Sequence, residues 1–250
     1  MSFNREENLM KENELELLRR EIAGKDEKEL LAFVAERFGK EAVFATSLGA
    51  EDQALTDLIA RNGLDIPIVT LDTGRLFPET YDLIAETEER YGVRIEVFAP
   101  DAAELEALVN EHGVNCFRKS KELRKLCCKV RKLSALRRAL AGKKLWICGL
   151  RRDQSVTRFG IEVLEDDPAN GLLRLNPLAD WSESRLWNYI QSHHVPYNVL
   201  HDKGYPSIGC ACCTRAVRRV EDVRAGRWYW EEPEHRECGL HVHHSKEESL

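Results

Sequence analysis

The sequence lacks any uninterrupted apolar segment long enough to cross a bilayer, which argues against a membrane-spanning protein. It also begins with a charged segment, MSFNREENLMKENELELLRREIAG, where an export signal would need an apolar stretch. Positive charge is not in excess, because 37 Lys and Arg residues face 43 Asp and Glu residues and leave a net charge of −6. Since general nucleic-acid binders accumulate cations, we expect a soluble, cytoplasmic protein that binds neither membranes nor nucleic acids.

Cysteine is present in an informative pattern. Without an export signal, the eight cysteines are expected to be ligands or catalytic groups, because reducing compartments keep thiols out of disulfides. Five of them form two tight groups, Cys127 with Cys128, and Cys210 with Cys212 and Cys213. Four thiolates from two such segments suit a tetrahedral zinc site or a [4Fe-4S] cluster, and spacing alone does not choose between them. Buried thiols without a ligand are the remaining alternative.

Two features of this pattern refine the expected ligands. The adjacency of Cys127 and Cys128 favours iron–sulfur, because zinc ligands are usually about two to four residues apart. In the second group Cys212 could replace Cys213, and we prefer Cys210 and Cys213. Cys116 and Cys148 stand apart and are interpreted as packing residues.

Alternating apolar and helical stretches predict an α/β fold. Five β-branched runs begin at Ala42, Ile66, Arg94, Lys144 and Leu172, which favours a mostly parallel sheet flanked by helices. Apolar residues at spacings of three and four over 123–140 predict one amphipathic helix carrying the cysteine pair, and a second helix is predicted over 181–193. We expect an N-terminal helical segment over 1–40, an α/β domain over 41–200 and an irregular C-terminal segment over 201–250 packed on it.

Three segments could hold an anion. SLGAED, residues 47–52, lies where a strand meets a helix, and backbone N–H groups at a helix N-terminus bind anions. GLRRDQSVTR, residues 149–158, brings three arginines directly after a strand, and residues 118–138 contain ten Lys or Arg with a single acid, Glu122. Each has a common alternative: an ordinary turn, a set of surface salt bridges, and a solvated helix face, respectively.

The C-terminal segment contains an isolated cysteine among cations. Cys238 lies in RAGRWYWEEPEHRECGLH, residues 224–241, where Arg224, Arg227, Arg236 and His241 are close in sequence. Nearby cations make a cysteine nucleophilic by stabilising its thiolate. Taken alone, a near-terminal cysteine is nevertheless more often incidental than catalytic.

Taken in order, these segments resemble the assimilatory sulfonucleotide reductases, the family of adenylyl sulfate and phosphoadenylyl sulfate reductases. Four elements carry the resemblance: SLGAED followed by LDTGRLFPETY, CCKVRK with GLRRDQS, YPSIGCACCTR, and ECGLH. It covers about residues 41–241 and implies a nucleotide-binding, adenine nucleotide alpha hydrolase-like fold related to the ATP pyrophosphatases. Where the ATP-cleaving relatives use a Ser-Gly-Gly-x-Asp-Ser loop, this chain has SLGAED, so we expect pyrophosphate chemistry to be lost.

The resemblance also implies a reaction. It is that of a thioredoxin-dependent oxidoreductase of sulfate assimilation and cysteine biosynthesis, which reduces adenylyl sulfate to sulfite and AMP. Cys238 would be the nucleophile and form an S-sulfocysteine, which thioredoxin or a glutaredoxin-like thiol donor then attacks. One [4Fe-4S] cluster would be bound by Cys127, Cys128, Cys210 and Cys213. The implied substrate contacts are Ser47, Gly49, Asp52, Lys132, Gly149, Arg158, Arg224, Arg227 and His241.

Several alternatives and details accompany this interpretation. Family members with both cysteine pairs resemble adenylyl sulfate reductases, and phosphoadenylyl sulfate or dual specificity is the alternative. Rival functions are an ATP-using enzyme that adenylates a tRNA base and a non-catalytic zinc or iron–sulfur protein. Lys132, four residues after Cys128, should share its helix face. Gly226 and Gly239 are compatible with a C-terminal segment that swings, and assembly into homo-oligomers is left open.

Overall fold

The computed structural model describes residues 2–154, 158, 160–218 and 222–232, with side chains from residue 12 onward. Cys238 and His241 lie outside the described residues. The strands are β1 (Ala42–Thr46), β2 (Ile68–Leu71), β3 (Ile95–Phe98), β4 (Leu145–Ile147), β5 (Leu164–Asp167) and β6 (Leu172–Leu175). The helices are α1 (Ser2–Ile22), α2 (Glu27–Phe38), α3 (Ala50–Arg61), α4 (Pro78–Tyr91), α5 (Ala102–His112), α6 (Lys121–Cys128), α7 (Ser134–Ala139) and α8 (Glu183–His193). None of these helices has the length and apolarity needed to cross a bilayer.

The strands form one sheet in the order β3-β2-β1-β4-β6-β5. Every neighbouring pair is parallel except β5 and β6, so the predicted mostly parallel sheet is confirmed. All five predicted runs contain a strand, but β5 was not predicted. Its sequence, LEDD, is acidic, and it forms the sheet edge by pairing antiparallel with β6. Edge strands tolerate charge that an interior parallel strand excludes.

Apolar packing covers both faces of the sheet. One face packs on α1, α2, α3 and α8, with Leu31 and Leu55 buried against Phe44. The other face buries Trp146 against Leu136 of α7. A third apolar cluster lies apart from both and contains Cys127 with Trp228. The cysteine region therefore has its own small core.

The predicted helix over 123–140 is interrupted. It consists of α6, a π-helical segment (Lys129–Leu133) and α7. A π-helical turn contains one more residue than an α-helical turn, and such turns are frequent at functional sites. Lys132 nevertheless lines the same small cavity as Cys128, so the predicted shared face is confirmed although the turn between them is π-helical. The helix predicted over 181–193 begins two residues later, because Ser182 Oγ accepts a hydrogen bond from the Arg185 N–H and acts as the N-cap.

Candidate active site

A cavity of about 230 Å³ opens at the carboxyl ends of β1, β2 and β4. Ligands bind at this edge of parallel α/β sheets. The cavity wall includes all the predicted substrate contacts within the described residues, namely Ser47, Gly49, Asp52, Lys132, Gly149, Arg158, Arg224 and Arg227. The fold thus brings together residues that are separated by up to 180 positions in the sequence.

Asp52 holds the loop between β1 and α3 in place. Its Oδ2 accepts hydrogen bonds from the Ser47 N–H and from Ser47 Oγ, the latter at 2.7 Å. Burial raises the pKa of Asp52 to about 6, although the Ser47 hydrogen bonds oppose that shift. The preceding turn places Leu48 at φ 58°, a conformation that side chains other than glycine rarely adopt. Gly49 is the N-cap of α3, so the free N–H groups of that helix begin at the cavity wall.

The arginines after β4 are not equivalent. Arg151 is buried and forms a salt bridge at 2.9 Å with Glu51, while Arg152 pairs with Asp180. Arg158 is 8% exposed and donates to the neutral side-chain oxygen of Gln154. The salt-bridge interpretation therefore applies to Arg151 and Arg152. The acceptor of this Arg158 hydrogen bond is a neutral amide oxygen and not a carboxylate, and Arg158 also lines the cavity.

A second, smaller cavity of about 20 Å³ is lined by the five clustered cysteines, Cys127, Cys128, Cys210, Cys212 and Cys213. Five cations line it as well: Arg75, Arg124, Arg131, Lys132 and Arg227. Cys116 belongs to the same apolar cluster but is not part of this wall, and Cys148 lines the larger cavity. The two cysteine groups predicted to act together are thus brought to one place.

Thiol chemistry in the small cavity is strongly influenced by its surroundings. Burial raises the pKa of Cys127 to about 12, and the neighbouring Cys128 acts in the same direction. The hydrogen bond with Cys212 and burial raise the pKa of Cys213. The interaction with Cys213 lowers the pKa of Cys212 to about 6, and Arg75 contributes to that shift. Buried thiols of this kind become thiolates on metal binding, because the metal displaces the proton.

The donor set of the small cavity fits an iron–sulfur cluster. Within the described residues, no three His, Cys, Asp or Glu side chains converge on a single metal ion. A four-iron cluster makes a different demand, since each thiolate binds its own iron and the ligands need only surround the cluster. Arg131 Nε and Trp228 Nε1 are buried without a hydrogen-bond partner in the described part of the chain, and both residues line the cavity. Such donors suit the sulfides of a bound cluster.

The segment after β2 supports the cysteine cavity, and sequence reasoning missed its role. Thr73 Oγ1 accepts a hydrogen bond from Cys210 Sγ at 3.3 Å, and its carbonyl accepts one from Arg131 Nη1 at 2.6 Å. The carbonyl of Arg75 accepts a hydrogen bond from the Ala211 N–H at 2.8 Å. The available signal was LDTGR, which follows a strand at the ligand-binding edge of the sheet.

Lys132 and Arg227 connect the two cavities. Among the described residues they are the ones that line both walls. Arg227 donates to the carbonyl of Ile208 at 3.1 Å. A methyl group on Gly209 would lie 2.2 Å from Arg227 Nη2, so a side chain at position 209 would displace this guanidinium.

Gly226 does not have the surroundings of a hinge. It is buried, and a methyl group on its α-carbon would lie 2.3 Å from the carbonyl oxygen of Arg215. The next residue, Arg227, forms an antiparallel β-bridge with Thr214. The expectation that Gly226 contributes freedom to a swinging segment was wrong. This glycine permits a close backbone approach instead.

Comparison with known proteins identifies the family. Residues 41–216 match the family described as phosphoadenosine phosphosulfate reductase domain. The chain belongs to this reductase family. An adenosine 5′-phosphosulfate reductase of Allochromatium vinosum is 57% identical to it over 199 residues, which cover 80% of this chain and 78% of the relative.

Solved structures agree with membership of the reductase family. A phosphoadenylyl-sulfate reductase from Candida auris, crystallised as a phosphate complex, has a TM-score of 0.70 at 25% identity and covers 81% of this chain and 96% of its own. Yeast FAD synthetase in complex with FAD has a TM-score of 0.53 at 18% identity, with coverages of 82% and 70%. The second likeness concerns the fold alone. Together they confirm the predicted adenine nucleotide alpha hydrolase-like fold.

Proposed function

We propose that the chain reduces adenylyl sulfate to sulfite and AMP in assimilatory sulfate reduction and cysteine biosynthesis, in the cytoplasm. The observation that carries this proposal is the common wall formed by Lys132 and Arg227 between a cation-lined cavity at the ligand-binding edge of the sheet and a five-cysteine cavity. The relative that is 57% identical bears the name of an adenosine 5′-phosphosulfate reductase, which supports the unphosphorylated substrate. Retention of both cysteine pairs supports the same choice.

The large cavity would hold the nucleotide over residues 41–200, and residues 201–250 would supply cluster ligands and the nucleophile. Ser47, Gly49, Asp52 and Gly149 would line the nucleoside end. The phosphosulfate would lie against Lys132, Arg158, Arg224 and Arg227, with His241 as a further contact from beyond the described residues. Arginine suits this task because its planar fork pairs with the oxygens of phosphate or sulfate.

Two displacements account for the chemistry. The Cys238 thiolate would attack the sulfur of adenylyl sulfate, forming an S–S bond while the S–O bond to phosphate breaks and AMP leaves with the electron pair. A thiolate of thioredoxin or a glutaredoxin-like dithiol would then attack the Cys238 sulfur and expel sulfite. The second thiol of the donor would resolve the mixed disulfide, so the dithiol supplies both electrons. Fixed cations lower both barriers by stabilising the negative oxygens.

The cysteine cavity would hold one [4Fe-4S] cluster through Cys127, Cys128, Cys210 and Cys213. When bound, the cluster would order α6, the helix that contains Cys127 and Cys128, and would contribute to the electrostatic field at the substrate without carrying electrons through the cycle. The cations in its wall would offset the negative charge of four thiolates and the cluster. Cys212 would stay outside the set of cluster ligands, beside Arg75.

The decisive experiment measures sulfite release from adenylyl sulfate and from phosphoadenylyl sulfate with thioredoxin as donor. We expect the wild type to prefer adenylyl sulfate and Cys238→Ser to release no sulfite while binding AMP normally. Cys116→Ser is the matched control, because this buried thiol lines neither cavity. Sulfite release by Cys238→Ser at the wild-type rate would disprove the nucleophile, and preference for the 3′-phosphorylated substrate would reassign the specificity.

A further inference from the structure

A buried ion pair joins the cysteine helix to the end of the described chain. Arg124 Nε and Nη2 donate to the two carboxylate oxygens of Glu231 at 2.9 and 2.7 Å. The side chains are 1% and 9% exposed. This is a two-bond, planar contact across 107 positions of sequence.

Stability alone is a weak reason for such a pair. Removing two charges from water costs free energy that their attraction roughly repays, and apolar residues of equal volume often stabilise a protein as well or better. What a buried, two-bond pair provides is a fixed geometry, because only one arrangement of the partners satisfies both groups. Arg124 and Glu231 therefore specify how the two segments lie against each other.

The segment held by Glu231 includes Trp228 and Arg227. The Trp228 ring is buried, and its centroid lies 4.9 Å from Cζ of Arg124 and 4.8 Å from Cζ of Arg227. Cations at this distance are attracted to an indole ring. The backbone N–H of Trp228 donates to the carbonyl of Cys213 at 3.0 Å. One aromatic ring thus touches both the paired arginine and the arginine shared by the two cavities.

Trp228 also has a strained backbone. Its φ is 41°, in the left-handed region, where a bulky side chain is a genuine outlier. Strain of this kind persists only where surrounding contacts impose it. The contacts that impose it are those to Arg124, Arg227 and Cys213. These contacts hold the Trp228 backbone in a conformation that it would otherwise avoid.

Glu231 also marks the start of the segment that carries the proposed nucleophile. It precedes Cys238 by seven residues. An extended chain spans at most about 3.5 Å per residue, so the Cys238 α-carbon lies within roughly 25 Å of that of Glu231. A fixed position for Glu231 therefore bounds the distance between Cys238 and the described chain.

We propose that Arg124 and Glu231 are positioning residues for the nucleophilic step: their ion pair sets the origin of the Cys238 segment and, through Trp228, the placement of Arg227. This inference rests on the proposed function. It assigns the pair no contact with substrate. Breaking the pair should therefore slow the attack by Cys238 far more than it weakens nucleotide binding, because Arg227 is one of four cations proposed to face the phosphosulfate.

The test compares Glu231→Gln with Glu165→Gln. Glu165 forms the matched control pair with Arg174 at 2.7 Å, with side chains 12% and 7% exposed, on the edge of the sheet. Single-turnover AMP release from adenylyl sulfate, the dissociation constant of AMP, the melting temperature and the iron content are measured for each. We expect Glu231→Gln to slow AMP release about tenfold to a hundredfold with AMP affinity within about twofold of wild type. Glu165→Gln should keep the wild-type rate.

Each outcome has a distinct meaning. A wild-type rate of AMP release by Glu231→Gln would overturn the positioning role, as would equal losses of rate and melting temperature in both variants. If Glu231→Gln is poorly folded, the neutral pair Arg124→Gln/Glu231→Gln removes the buried guanidinium as well, and a rate still reduced at normal melting temperature and normal iron content supports the proposal. Full recovery of the rate in this double variant would overturn it. Absence of AMP release and of sulfite from the wild type would instead reject the proposed function.

Discussion

The α-carbon of Gly149 lies against the carboxylate of Asp52, so closely that a methyl group at position 149 would stand 2.2 Å from Asp52 Oδ1. It would also lie 3.2 Å from the backbone nitrogen of Asp52. The end of β4 and the start of α3 can therefore meet only where position 149 has no side chain.

We expect Gly149→Ala to destabilise the protein and to weaken nucleotide binding, because Asp52 and the Ser47 loop that it holds must shift. The loss in the free energy of unfolding should be about 1–3 kcal/mol, measured by urea denaturation. Gly160→Ala is the control, since a methyl group there meets no atom of the described residues within 4 Å. Equal stability of the two variants would contradict the tight contact.

The raised pKa of Asp52 predicts a pH dependence of stability. With a folded pKa of about 6 against an ordinary value of 3.8, the folded state holds this proton more tightly than the unfolded state. Stability from this group is fully present below the unfolded pKa and is lost as the pH rises through about 6. Asp52→Asn should therefore gain about 2 kcal/mol relative to wild type between pH 4 and pH 7, measured by urea denaturation. A difference that does not change with pH would rule this out.

Arg158 and Arg152 offer a matched pair of substitutions. Arg158→Ala should raise the dissociation constant of AMP about tenfold to a hundredfold, because a charge-assisted contact to phosphate is lost. Arg152→Ala should change it less than about twofold, since Arg152 is paired with Asp180. Isothermal titration at two salt concentrations checks both expectations. Equal weakening by the two substitutions would show that neither arginine is selective for the ligand.

Iron content tests the cysteine cavity. Substitution by alanine at Cys127, Cys128, Cys210 or Cys213 should lower iron well below about four per chain, whereas Cys116→Ala should retain it. Cys212→Ala separates the two candidates in the second group. If this variant loses iron and Cys213→Ala keeps it, the ligand assignment must be exchanged.

Periodicity and composition could predict most of the fold. The runs at Ala42, Ile66 and Lys144 are apolar enough to be interior parallel strands, and the structure places them so. Strand β5 was not predicted because a tertiary contact compensates its acidic character: Arg174 of the neighbouring strand donates two hydrogen bonds to Glu165. A local sequence pattern contains no information about a partner on another strand.

The site was predictable where chemistry is specific to residue type. Clustered thiols and clustered cations stand out in the sequence, and the two cavities are lined by them. Arg75 and Thr73 were missed because their role depends on the distance between β2 and the cysteine loop, which only the fold fixes. Gly226 was misinterpreted because glycine serves both mobile hinges and crowded backbones, and its neighbours decide between the two.

The π-helical segment, Lys129–Leu133, separates two stretches of helix that pack in different parts of the protein. Residues before it pack in the small core around the cysteine cavity, whereas Leu136 and Ala139 after it pack against the sheet. Because the extra residue resets the angular register between these stretches, each can change in sequence with little effect on the other's packing. Substitution of the clustered cysteines is therefore open to evolution without rebuilding the sheet, and a one-residue deletion in this turn would remove that independence.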